Sequence, residues 1–232
     1  MTIRAVTFDF WGTLFRDRDS DLRQNLRIER LAHDAGVSQE AARALLDDAI
    51  REFARCHIEE QRTLDSRDAV RMAEKAFGTA FAPEKAAALA HYFSTVILAY
   101  PPAPIEDALE AVRSAAARVP VGLISDTGIS PGDSLRVVLN RYGFSEYLQC
   151  MTFSDEMGLS KPQAAMFTVT AEALGVAPHE ILHLGDLEPT DIAGIRALGG
   201  TAGLFAGVNP RFLGKTAAEY TFTTWREFID QL

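Results

Sequence analysis

The residues best suited to do chemistry are acids that stand where an apolar run stops. In "VTFDFWGTLF", Val6 to Phe15, a strand-like pattern ends on Asp9 and is followed at once by Trp11, Gly12 and Thr13. A carboxylate among bulky apolar residues costs free energy unless a neighbour uses it. The same punctuation recurs further along: "LISDTG" ends on Ser125 and Asp126, "GLSKP" carries Lys161, and "HLGDLEPTD" carries Asp186 and Asp191. If these stretches lie side by side, the acids Asp9, Asp186 and Asp191 share one edge with a hydroxyl and a lysine. Acids that close raise each other's pKa unless a cation sits among them, and hard oxygen donors select Mg2+. Such an ion, together with Lys161, would hold a phosphate or a carboxylate.

Parallel strands would bring these positions together, because ligands in open parallel sheets bind beyond the carboxyl ends of the strands. The patterning predicts strands over 3–10, 119–124, 148–153, 181–184 and 201–205. Helices are expected over 105–117, 135–142, 163–174, 191–198 and after Thr224. Strands alternating with helices imply right-handed crossovers and a sheet covered on both faces. Between the first strand and this alternating part, the chain is rich in Ala, Arg, Glu and Leu at helical spacing, with Leu22, Leu26, Ile28 and Leu31, then Ala41, Leu45, Ala49 and Phe53, as apolar stripes. Gly36 ends one helix there, and Ser38, Asp65-Ser66 and Pro83 begin others. Pro101, Pro102 and Pro104 close the segment. The expected fold class is therefore α/β: a Rossmann-like parallel sheet core with helices on both faces, formed by residues 1–15 and 101–232, plus a smaller all-helical domain formed by residues 16–100.

Composition narrows the function classes. The 232 residues are 47% hydrophobic and 24% charged, with a net charge of -9, so the overall field repels nucleic acid and anionic membranes. Cys56 and Cys150 lie far apart in no metal-like spacing, which suits a reducing compartment and free thiols. No run approaches the roughly 20 apolar residues of a membrane span. The expectation is a cytoplasmic monomer or homodimer acting on a small, anionic molecule, with neither nucleic acid nor membrane as partner.

"DFWGT", "LISD", "SKP" and "GDLEPTD" resemble, in order, the four motifs of the haloacid dehalogenase (HAD) superfamily of hydrolases, and the helical insertion resembles the cap those enzymes carry between their first and second motifs. The resemblance spans essentially the whole chain. It implies that Asp9 is a nucleophile forming a covalent aspartyl intermediate. It implies that Ser125 and the Asp126 backbone N–H bind the transferring group, and that Lys161 offsets charge. Mg2+ would be held by Asp9, the Trp11 carbonyl and Asp186, with Asp191 supporting metal and lysine. Gly12 and Thr13 would form the turn that lets the backbone approach the substrate.

Trp11 departs from the pattern. Family phosphatases place an aspartate there as acid and base, and such help is worth roughly 10²–10⁴-fold. The family's haloacid dehalogenases carry an aromatic residue at that position, yet their fourth motif lacks the Gly-Asp pair that Gly185 and Asp186 keep here. The first reading is a Mg2+-dependent phosphatase acting on a small phosphorylated metabolite. A carbon-halogen hydrolase is the alternative, and a non-catalytic phospho-ligand-binding protein is the third. Trp11 also has a plain packing role open to it. His183 is expected to be a sheet residue rather than a ligand. His57, Arg55, Gln61 and Arg62 form a solvated face from which one or two could reach the substrate. Arg16 and Arg18 are modest candidates for contacting an anion. The tail around Pro210, Arg211 and Lys215 receives no function.

Overall fold

Side chains of β1 (Ala5–Phe8) alternate: Val6 and Phe8 enter one buried cluster and Ala5 another, on opposite faces of a sheet. The computed structural model describes residues 2–232. From β1 the chain turns through Asp9 to Thr13 and leaves through β2 (Phe15–Arg16) into four helices, α1 (Ser20–Ala35), α2 (Gln39–Arg55), α3 (Ser66–Phe77) and α4 (Pro83–Ala99). It returns through β3 (Ala103–Pro104), which pairs antiparallel with β2, Phe15 opposite Pro104 and Arg16 opposite Ala103. There follow α5 (Ala108–Ala116), β4 (Val121–Ser125), α6 (Gly132–Arg141), β5 (Cys150–Phe153), α7 (Ser154–Met157), α8 (Ala164–Ala173), β6 (Ile181–Gly185), α9 (Ala193–Ala197), β7 (Thr201–Phe205), β8 (Tyr220–Phe222) and α10 (Trp225–Gln231).

The main sheet runs β5-β4-β1-β6-β7-β8, with every pair parallel. Chain order therefore reverses direction at β1, which has β4 on one side and β6 on the other. A crevice opens beyond the carboxyl ends of strands at such a switch point. One cluster packs Val6, Phe8, Val112, Leu135, Trp225 and Phe228 under α5, α6 and α10; the other packs Ile124, Phe167, Ile195 and Leu204 under α8 and α9. Phe8, Phe10, Leu14 and Phe15 are all fully buried. Each such side chain contributes about 1.5–3 kcal/mol, so the turn carrying Asp9 is anchored on both sides. Trp225 adds a tie, its Nε1 donating to the Thr13 carbonyl at 3.0 Å.

Helices α1 to α4 bury a third cluster that includes Ile28, Leu31, Leu46, Val70, Leu89 and Phe93. Their ends follow local chemistry. Ser38 accepts from the Ala41 N–H at 3.1 Å, Asp65 and Asp68 form a reciprocal capping box, Pro83 opens α4, and Gly36 ends α1 at φ 68°. Leu22, expected on the apolar stripe, is 40% exposed; the buried face of α1 is carried instead by Arg23, Arg27, Ile28 and Leu31.

Two features go beyond the expected elements. The β2–β3 ribbon is too short to show alternation, and β8 has two exposed residues among its three. The helix expected from Asp191 starts two residues later, because Glu188–Ile192 forms a wider π-helical turn. No helix among the described residues is long and apolar enough to cross a membrane.

Candidate active site

Asp9 follows β1 directly, and its N–H still pairs with the Leu184 carbonyl at 2.8 Å, so the side chain leaves the sheet at a fixed point. Lys161 comes from the loop after α7 and is 1% exposed. Its Nζ donates to Asp9 Oδ1 at 2.7 Å, Asp191 Oδ1 at 2.6 Å and the Ile124 carbonyl at 3.1 Å. A buried ammonium costs several kcal/mol unless it is fully paired, and all three donors are used here. Burial pulls against the charge, but Asp191, Asp9 and Asp126 outweigh it and hold Lys161 protonated well above the ordinary lysine range.

Asp191 accepts three hydrogen bonds. Its Oδ1 accepts from Lys161 and from His183 Nε2 at 3.1 Å, and its Oδ2 accepts from the Leu187 N–H at 3.0 Å. Burial would raise its pKa, yet Lys161 and His183 prevail and hold it below the usual carboxylate range. His183 sits opposite Thr7 in the β1–β6 register, fully buried, with Nδ1 2.9 Å from Thr7 Oγ1. An ionised carboxylate only accepts, so Nε2 carries the proton and Nδ1 accepts from the threonine. Burial lowers the His183 pKa and keeps this arrangement neutral. His183 is thus a sheet residue that also fixes Asp191.

Asp9 Oδ2 and Asp186 Oδ1 accept no hydrogen bond from any other described residue. Asp9, Asp186 and Asp191 each offer an oxygen within 4.8 Å of the others. Burial, joined by Asp191 and Asp186, pushes the Asp9 carboxyl well above its ordinary range despite Lys161. Burial, with Asp191 beside it, pushes Asp186 up to about 6. Hard oxygen donors, two of them unanswered and held against their preferred ionisation, fit a divalent cation such as Mg2+. Asp186 has a free oxygen for direct contact, and Asp9 Oδ1 keeps a lone pair beyond the one facing Lys161, so a cation need not occupy Oδ2; Asp191, with three hydrogen bonds accepted, positions Lys161 and the loop. Two glycines make room: at Gly12, with φ 70°, a Cβ would stand 2.7 Å from Asp186 Oδ2, and at Gly185 one would overlap Asp191.

The other wall is the loop after β4. Ser125 is fully buried with Oγ turned to the Asp126 carbonyl at 3.2 Å. Asp126 Oδ1 accepts from the Lys161 N–H at 3.0 Å, and its Oδ2 stands 3.8 Å from Lys161 Nζ. Thr127 is tied to Ser154 and Asp155, and Asp155 also accepts from the Gly132 N–H at 3.0 Å. From the helical segment, the π-helical turn Cys56–Glu60 brings His57 Nε2 to 3.1 Å from Asp126 Oδ2. The Gln61 carbonyl accepts from the Ser160 N–H and from Gln163 Nε2. The helical segment therefore rests on the loops that carry Asp126 and Lys161.

A haloacid dehalogenase-like hydrolase family model matches residues 3–199, most of the chain. The chain belongs to the haloacid dehalogenase-like hydrolase family. It is similar to the phosphoserine phosphatase of Thermus thermophilus, 33% identical over 118 residues that make up 51% of this chain and 46% of that one. The match thus spans about half the length of that relative. Among solved structures, a HAD phosphatase from Thermococcus onnurineus shares the fold with a TM-score of 0.73 at 21% identity, covering 99% of this chain and 97% of the other. A 2-haloacid dehalogenase from Pseudomonas syringae pv. Tomato superposes with a TM-score of 0.71 at 17% identity, covering 99% of both chains.

In this family member, the structure brings together Asp9, Ser125, Asp126, Lys161, Asp186 and Asp191. Trp11 is half-buried, packs edge-on to Phe10 at 4.8 Å and lines a cavity with α1 and α2. Thr13 lies fully buried beneath the turn, its hydroxyl without a partner among the described residues. Arg55 and Arg62 pair with Glu52 and Glu60 on a solvated face, whereas His57 reaches the loop of Asp126. Arg16 and Arg18 are exposed, and Arg16 lines a separate recess with Glu106 and Arg226. Asn209 escaped notice in a tail assigned no function, yet its Nδ2 donates to Asp186 Oδ2 at 2.9 Å. Its only sequence signal was the Asn-Pro pair that opens a turn after β7.

Proposed function

We propose that this chain is a Mg2+-dependent phosphatase for a small phosphorylated metabolite, with residues 16–100 acting as a cap over the site. The observation that carries this reading is the pairing of Asp9: Oδ1 is fixed by Lys161, Oδ2 accepts no hydrogen bond from any other described residue, and the carboxyl group lies within 4.8 Å of that of Asp186. A carboxylate held by one oxygen presents the other as a nucleophile.

Asp9 Oδ2 attacks phosphorus, the bond from phosphorus to the ester oxygen breaks, and its electron pair leaves on that oxygen. Water then attacks the phosphorus of the aspartyl phosphate, the Asp9–phosphorus bond breaks, and Asp9 returns as a carboxylate with inorganic phosphate released. Lys161 answers negative charge throughout, and the Ser125 hydroxyl with the N–H of Asp126 serves the transferring group, the Thr127 N–H being spent on Ser154. Mg2+ held by Asp9, Asp186 and the Trp11 carbonyl would supply charge neutralisation to the phosphoryl oxygens. The indole of Trp11 neither releases nor takes up a proton near neutral pH, so leaving groups that depart as anions react fastest.

Trp11 favours a second reading, attack of Asp9 on a halogen-bearing carbon. Asp186, with its raised pKa and its Asn209 support, has no task in that chemistry. The test is release of phosphate from para-nitrophenyl phosphate and acetyl phosphate, and of chloride from L-2-chloropropionate, with Mg2+ and with chelator. The expected result is Mg2+-dependent phosphate release that Asp9→Asn abolishes. Chloride release that survives the chelator would replace the phosphatase with a dehalogenase.

A further inference from the structure

The cavity next to Trp11 contains a buried guanidinium, that of Arg27, with no carboxylate in direct contact among the described residues. It measures about 810 Å³ and lies between helices α1 and α2 on one side and Trp11 and Gly128–Ser130 on the other. Trp11 is two residues from Asp9, and Gly128 is two residues from Asp126, so the cavity shares its Trp11 turn and its β4 loop with the acidic cluster. Its volume suits a small metabolite.

Its inner wall holds Arg23 and Arg27, 3% and 5% exposed. Arg23 donates to the Tyr100 carbonyl at 2.8 Å and pairs with Asp17. Arg27 donates to the Phe93 carbonyl at 3.1 Å and to Ser130 Oγ at 3.4 Å, both neutral, and no carboxylate lies within 4.0 Å of it among the described residues. Burial, with Arg23 adjacent, brings Arg27 down to about 10 against the pull of Asp17, which is itself paired with Arg23, so Arg27 stays charged at neutral pH. The other acids of the cavity do not answer it. Asp21 is exposed at the mouth, and Asp47 accepts from Gln24 at 3.5 Å. Burying a guanidinium with only neutral partners costs stability that an incoming anion would recover.

We infer that this cavity takes the part of the substrate that is not transferred, and that this part bears a second anionic group, a carboxylate, received by Arg27. The planar fork of arginine matches a carboxylate through two parallel hydrogen bonds. Arg23, tied to Asp17, lines the same wall and adds positive potential. The half-buried indole of Trp11 forms the apolar wall between this group and the phosphoryl site. The inference rests on the phosphatase reading and narrows its substrate to phosphate esters of hydroxy or amino acids over esters of neutral alcohols.

The test is calorimetric titration of the Mg2+-loaded full chain with ω-carboxyalkylphosphonates of two to four carbons, against alkylphosphonates of the same lengths. None of these can be hydrolysed at phosphorus, so binding is read without turnover. The expected result is that at least one carboxylated ligand binds roughly tenfold or more tightly than its alkyl counterpart, and that Arg27→Gln collapses that ratio toward one. Ile50→Asp, at an exposed position lining the same cavity, adds a negative charge without disturbing the core and lowers the ratio as well. It decides the matter if Arg27→Gln fails to fold. A ratio near one in the wild type, or a ratio unchanged in the variants, overturns the inference. A ratio that behaves as expected in a chain releasing no phosphate from any ester leaves the anion pocket standing and removes the phosphatase.

Discussion

Lys161 Nζ stands 2.7 Å from Asp9 Oδ1, and this contact gives the two oxygens of one carboxylate different tasks. Oδ1 is fixed to an ammonium that Asp191 also holds, while Oδ2 accepts no hydrogen bond from any other described residue. The buried lysine is the only cation within 4.0 Å of Asp9 among the described residues. Stability and reactivity of the site therefore both depend on it.

Lys161→Met removes that cation and leaves Asp9 and Asp191 buried without their partner. Breaking a buried pair in this way costs about 3–5 kcal/mol. Urea unfolding of the metal-free variant should show a loss of that order, and added MgCl2 should restore part of it by mass action. A loss under about 1 kcal/mol would mean that the acids are already neutral.

Asp186 makes metal binding depend on pH. Its folded pKa of about 6 lies above the ordinary 3.8, so the folded chain holds a proton that the unfolded chain has lost. The metal-free protein is accordingly most favoured by this group below about 4 and loses that contribution as pH rises through 6. Mg2+ competes with the same proton. Its apparent affinity should fall roughly tenfold for each pH unit below 6, read as a shrinking Mg2+-induced rise in Tm. Asp186→Ala should show no Mg2+-induced rise at any pH, and an undiminished rise would remove Asp186 from the metal site.

Asn209→Ala deletes the one side chain that donates to Asp186 among the described residues. Groups supporting a metal ligand typically matter by 10–100-fold in affinity. Calorimetry should find Mg2+ bound about tenfold more weakly, and equal affinity would reduce Asn209 to a loop residue.

Gly12→Ala meets two obstacles, the left-handed backbone at φ 70° and the Asp186 carboxylate 2.7 Å from the new Cβ. Gly36→Ala meets only the first, since φ is 68° with nothing within 4 Å. Left-handed strain alone costs about 1–2 kcal/mol. The Gly36 variant should lose about that much with its Mg2+ response intact. The Gly12 variant should lose more and bind Mg2+ less well. Equal behaviour of the two would mean that Asp186 moves aside freely.

Much of this was legible in the chain. Acids ending strands such as "VTFD" and "HLGD" give both a sheet and its functional edge, because burying a carboxylate at a strand end demands a purpose. What escaped were contacts made by residues distant in sequence. The link from Thr7 through His183 to Asp191 requires the β1–β6 register, and the role of Asn209 requires the loop after β7 to fold back over β6. The apolar stripe of α1 concealed Arg23 and Arg27, since a buried arginine reads as surface in any hydrophobic pattern. His57 was readable only as one of several polar side chains, until the π-helical turn carried it to Asp126.

In the proposed reaction Asp9 attacks phosphorus and water later attacks that same phosphorus. A single turnover of acetyl phosphate in ¹⁸O-labelled water, with mass analysis of both the released phosphate and the peptide containing Asp9, tests it most directly. The expected result is label in the phosphate and none in the Asp9 carboxylate. Label appearing in Asp9 would mean that water attacks the carboxyl carbon, as in hydrolysis of an ester formed at a carbon centre, and would contradict the phosphatase assignment.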